Sequence, residues 1–160
     1  MQLTQPVIFT FFRMGLATGL VERQAVTAWA DRQVLASTVP DPHIIELSLA
    51  GGQPHSQLIG LLNQLLQGFV DYDLPIKLLF AHAGGLLENE PGQALEIAQS
   101  LLLLLAEEFL PRELLSELYS IEGDLELFQL SMLSLQSLRN RLERFLSLYA
   151  SFRPMLAGVL

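Results

Sequence analysis

Five consecutive leucines, Leu101 to Leu105, sit inside the stretch ALEIAQSLLLLLAEEFL, Ala94 to Leu110. On a helix such a run puts leucine on every side, and a helix that is apolar all round must be buried on all sides or lie in lipid. Lipid does not suit it. The apolar part from Ile97 to Ala106 is only about ten residues and already contains Gln99 and Ser100, whereas a membrane span needs roughly 20. The stretch therefore reads as the central helix of a helical domain, bracketed by Pro91 and Pro111.

The rest of the 160 residues can enclose such a helix. Hydrophobic residues make up 51% of the chain and charged ones 16%, the latter below the usual ~25%. That balance argues against disorder. It points to a large core or to apolar surface covered by a partner. Cysteine is absent, which removes disulfides, thiolate nucleophiles and cysteine-held zinc. The N-terminus, MQLTQPVIFTFFRMG, lacks a basic leader region and is interrupted by Arg13, so a cytoplasmic location is expected.

Turn chemistry divides the chain into helices. Thr4 and Pro6 can open the first, with Phe9, Phe11 and Phe12 as core anchors and Gly15 and Gly19 flanking a break. A second runs near Val21 to Ala36 and carries Trp29, the single tryptophan, as a packing anchor. After the breaker Ser37–Pro42, Asp41 and Pro42 suit a helix start. The alternation of Ile45, Leu47 and Leu49 also permits a strand, but the Asp-Pro start favours the helix.

The segment SQLIGLLNQLLQG forms the next helix, closed by Gly68. Asp71 or Asp73 caps another, with Ile76, Leu78, Leu79 and Phe80 inward and Gly84-Gly85 as a kink or an end. Beyond the central helix, Pro111 starts a short helix ending near Gly123. Asp124 then opens the longest, its stripe Leu125, Phe128, Met132, Leu135, Leu138, Leu142, Phe145, Tyr149 and Phe152 spaced by three and four until Pro154. The stripe permits a coiled-coil seam; packing against its own bundle is favoured.

The expected architecture is all-α: a single compact multi-helix bundle of about seven or eight antiparallel helices with a long C-terminal helix, one helical domain over residues 1–160.

Charge is unevenly placed. Between Asp71 and Glu126 twelve acids face only Lys77 and Arg112, leaving −10, while the remainder has five acids and seven bases, leaving +2; together they make the net −8. No basic patch is available for phosphates, so no nucleic-acid partner is expected, and no membrane partner either. An acidic middle favours a basic partner.

Reactive groupings are few. His43 and Glu46 share a helix face, which is half a metal site at best, and neither HExxH nor Glu-x-x-His occurs. Glu113 and Glu117 read as a solvated face, and Glu107-Glu108 as the place where a buried helix reaches water. No GxSxG and no phosphate loop are present. The expectation is a protein that is not an enzyme, with no cofactor and no metal.

One stretch carries a resemblance. Phe12 to Leu49, FRMGLATGLVERQAVTAWADRQVLASTVPDPHIIELSL, with Trp29-Ala30-Asp31 at its centre, resembles small uncharacterised bacterial helical proteins. Among these are sequences similar to immunity proteins of polymorphic toxin systems. The resemblance implies a cytoplasmic, non-enzymatic helical protein that neutralises a partner.

The leading expectation is thus a non-enzymatic helical interaction module binding another protein, a basic one such as a toxin, through Asp71, Asp73, Glu107 and Glu108; a homodimer is compatible with it. The alternative is a helical ligand-binding or sensory domain whose apolar pocket is lined by Phe80, Phe128 and Met132.

Overall fold

The structure is a computed structural model that describes residues 2–68, 71–107 and 110–160. Among these the chain is all-helical. The α-helices are α1 (Gln5–Thr18), α2 (Arg23–Ala36), α3 (Pro42–Ser48), α4 (His55–Leu66), α5 (Asp73–Asn89), α6 (Ala94–Leu102), α7 (Arg112–Gln129) and α8 (Leu135–Ser147). Short 3-10 helices occupy Pro91–Gln93, Leu103–Ala106 and Ala150–Leu156. No helix among the described residues is long and apolar enough to cross a membrane.

The chain divides into two compact units, Met1–Ile76 with Pro154–Leu160, and Lys77–Arg153. In the first, α1 packs on α4, and α3 lies against both α2 and α4. In this unit α1 is buried on nearly every side. From Ile8 to Leu16 only Arg13 escapes burial, and its guanidinium donates to the Tyr72 hydroxyl at 2.5 Å. Thr10 and Thr18, the buried polar residues of α1, donate to the carbonyls of Pro6 and Met14, each at 2.8 Å. Their hydroxyls therefore avoid the penalty of an unpaired buried group. Trp29 is buried edge-on against Phe9 and Phe12. The C-terminal tail is held here too, with Arg32 donating to the Gly158 and Val159 carbonyls.

Several starts follow the turn chemistry. Asp41 accepts the His43 N–H at 2.8 Å with Pro42 behind it, and α3 forms where alternation also allowed a strand. The side chain of Asp71 accepts the Asp73 N–H at 3.0 Å at the head of α5.

Other boundaries are corrected by the structure. α1 runs through Gly15 and ends at Gly19, whose φ of 76° suits a residue without Cβ. α5 passes straight through Gly84-Gly85. In the second unit these glycines make room for Arg153: a Cβ on Gly84 would lie 3.4 Å from the Arg153 Nη2 atom and 3.4 Å from Leu146 Cβ. Arg153 in turn holds Glu88 with two hydrogen bonds, of 2.7 and 3.3 Å. Those bonds keep the exposed Glu88 carboxyl below its ordinary pKa.

The leucine run is not a helix buried all round. α6 packs against α7 and α8, but the chain tightens to a 3-10 helix at Leu103 and turns extended at Glu107. The three-residue repeat keeps Leu101 and Leu104 inward and leaves Leu103 56% exposed.

The long C-terminal helix is also corrected. The helix starting after Pro111 does not stop at Gly123 but continues to Gln129, and the break falls at Leu130–Ser134. There the Met132 N–H donates to the Leu127 carbonyl and the Ser131 N–H to the Phe128 carbonyl. Ser131 takes φ 58°, the arrangement of a Schellman C-cap. Ser134 then accepts the Ser137 N–H at 3.0 Å and starts α8. Met132, expected on the stripe, is 71% exposed.

Serine is an expensive residue for the left-handed conformation, which glycine adopts freely. Ser131→Gly is therefore expected to raise the unfolding free energy by about 0.5–1 kcal/mol, read as a higher denaturation midpoint at unchanged m-value. A lower midpoint would show that the Ser131 side chain contributes something the turn needs.

Candidate interaction site

α7 is the most acidic helix. Its apolar stripe Leu118, Ile121 and Leu125, spaced by three and four, is buried. The acids fall on both flanks of that stripe. Toward α8, Glu117, Ser120 and Asp124 face Arg141, Arg144 and Leu148 across a groove of about 540 Å³, floored by Ile121, Leu138, Leu142 and Phe145. Asp124 and Arg141 close an ion pair of 2.5 Å across it. Toward α6, Glu122 and Glu126 line a second cleft of about 310 Å³ with Gln99, Leu102, Leu125 and Gln129.

The two clefts differ in chemistry. The α7–α8 groove balances two carboxylates with two guanidinium groups. The α6–α7 cleft has carboxylates four residues apart on one helix, two amides and, among the described residues, no base in its lining. A pair of like charges at that spacing repels, and a cation placed between them relieves the repulsion. The cleft is therefore a locally acidic pocket for a single cationic group.

No protein-family model matches this chain, and no curated protein or solved structure matches it.

The acids singled out from the sequence are spread over both units. Asp71 and Asp73 lie side by side and exposed at the head of α5 in the first unit. Glu107 is half-buried in the second unit at the end of the 3-10 helix, its N–H donating to the Leu104 carbonyl at 3.0 Å. Glu108 lies outside the described residues. Glu122 and Glu126 belong to the acidic segment, but the sequence alone does not mark them as a pair. The signal was their i, i+4 spacing, which has meaning only if one helix runs through Gly123.

The histidines are dispersed. His43 sits 3.4 Å from the carboxylate of Asp41, His55 is exposed at the start of α4, and His82 is half-buried in α5. Among the described residues no group of three or more His, Cys, Asp or Glu is placed to hold a metal ion. Phe80 is fully buried against Phe145 and Tyr149, whereas Met132 is exposed on the α7–α8 turn. The residues named for an apolar ligand pocket are thus in different surroundings.

Proposed function

We propose that this protein is a non-enzymatic helical interaction module that binds a basic protein partner, neutralising it where that partner is a toxin. The observation that carries this reading is the α6–α7 cleft, where Glu122 and Glu126 stand together without a cation among the described residues of the lining. The chain's net charge of −8 adds a negative field that draws a basic partner in. The resemblance of Phe12–Leu49 to immunity-protein-like sequences agrees with this role, as does a cytoplasmic setting.

Affinity co-purification of the tagged protein from its host, washed at stepped salt concentrations and read by mass spectrometry, tests the reading. The expected result is a stoichiometric basic protein that leaves as salt rises, because exposed charge attraction is screened beyond roughly 10 Å at 0.1 M salt. The Glu122→Lys/Glu126→Lys variant should lose it, with the association rate of the purified pair falling roughly tenfold or more. A partner held equally well at high salt and by the charge-reversed variant would overturn the assignment.

A further inference from the structure

The α7–α8 groove has a property that the acidic cleft lacks: its rims carry opposite charge in equal number. Glu117 and Asp124 stand on the α7 rim, Arg141 and Arg144 on the α8 rim. Asp124 and Arg141 satisfy each other. Among the described residues neither Glu117 nor Arg144 has a side-chain hydrogen bond or ion pair within the chain. Both lie on the same side of the Asp124–Arg141 pair, away from the α7–α8 turn, since Arg144 follows Arg141 by one helical turn and Glu117 precedes Asp124 by about two.

The floor is apolar and continues beyond the buried part. Leu138, Leu142 and Phe145 are covered. Leu135, on the same face toward the turn, is 43% exposed, and Leu148 at the other end is 69% exposed. The apolar stripe is thus covered in its middle and open at both ends, between rims of opposite charge.

We propose that a second copy of this chain occupies the groove, forming a two-fold dimer through α7 and α8. Two arguments select this occupant. The chain carries −8 overall, so two copies repel wherever acidic surface meets acidic surface. The groove is a patch of zero net charge, where they can approach without that penalty. A two-fold contact also brings the same patch together from both sides. With the axis parallel to the groove, each α7 rim meets the opposite α8 rim. Glu117 then faces Arg144 of the partner subunit, and the reverse pair forms by symmetry. An axis across the groove would set acid against acid. The charge pattern therefore chooses the axis as well as the occupant.

The proposal does not rest on the acidic cleft. Glu122 and Glu126 lie on the other flank of α7, so their reversal should leave the dimer intact.

Analytical ultracentrifugation of the full chain over a wide concentration range tests it. Wild type is expected to show a concentration-dependent dimer. Glu117→Arg alone and Arg144→Glu alone should each weaken it roughly tenfold or more, because each places two like-charge pairs in the interface. Both sites are exposed, and circular dichroism checks that the variants remain folded. Mixing the two variants should restore the dimer as a heterodimer in native mass spectrometry, since each mutant rim then meets its complement. A monomer at every concentration overturns the proposal. So does a dimer untouched by both reversals and by Leu148→Asp, a mixture without rescue, or a groove that takes up a polylysine probe but no second copy.

Discussion

Replacing Phe12 with alanine is expected to lower the unfolding free energy by about 3–5 kcal/mol. Phe12 is fully buried. Its ring centroid lies 5.6 Å from that of Trp29 and 5.7 Å from that of Phe11, and Phe9 closes on Trp29 at 5.7 Å. Removing one ring forfeits its transfer from water and leaves a void that neighbours on α1 and α2 can close only in part. The edge-on pair of Phe12 with Trp29 adds about 0.5–1.5 kcal/mol beyond burial. Against a total stability of about 5–15 kcal/mol for a typical domain, the loss is a large share.

Trp29 is the only tryptophan and belongs to the same unit. Its fluorescence during urea unfolding therefore reports the environment that the substitution disturbs. Phe12→Leu, which keeps much of the volume, should cost about 1–1.5 kcal/mol. If Phe12→Ala shifted the midpoint no more than an ordinary surface change, about 0.5 kcal/mol or less, this cluster would not be the centre of the first unit.

The same residues show what could be read from the chain. The phenylalanines and Trp29 announced a core because large apolar side chains on helical spacing have nowhere else to go. Asp41-Pro42 announced α3 because capping is local. Features that depend on distant partners stayed hidden. Gly84-Gly85 reads as punctuation, yet its task is to seat a guanidinium sixty-odd residues away in sequence. The leucine run reads as a buried rod, but only Leu101 and Leu104 have full cover, because the chain tightens to 3-10 geometry just there.

The break at Leu130–Ser134 is silent in the sequence because the stripe continues through it without interruption and the αL position holds serine where glycine would signal a cap. The same break governs the candidate site. The acidity of the segment was plain from counting, but the sides of α7 taken by Glu117, Asp124, Glu122 and Glu126 depend on one helix passing through Gly123.

Gly15→Ala and Gly60→Ala are expected to change stability in opposite directions, although both glycines lie inside α-helices. Glycine in a helix interior costs about 0.5–1 kcal/mol relative to alanine, through the backbone entropy lost on folding. At Gly60 in α4 and Gly123 in α7 an added Cβ would meet nothing within 4 Å. Alanine there should stabilise by about that amount. At Gly15 the added Cβ would lie 2.3 Å from Val21 Cγ2 and 2.6 Å from Val21 Cβ. Val21 cannot step aside easily: it is buried, and its N–H donates to the Gly15 carbonyl at 3.0 Å. That bond folds the chain back on the end of α1.

The overlap must be relieved by moving backbone, and overpacking of this kind costs about 1–3 kcal/mol, enough to reverse the sign. Thermal unfolding of the three single variants compares them directly. Gly60→Ala and Gly123→Ala should melt above wild type and Gly15→Ala below it. A Gly15→Ala protein as stable as the other two would mean that the α1–α2 turn adjusts freely. The close approach of Val21 would then be an incidental feature of the turn, with no part in specifying where α1 ends.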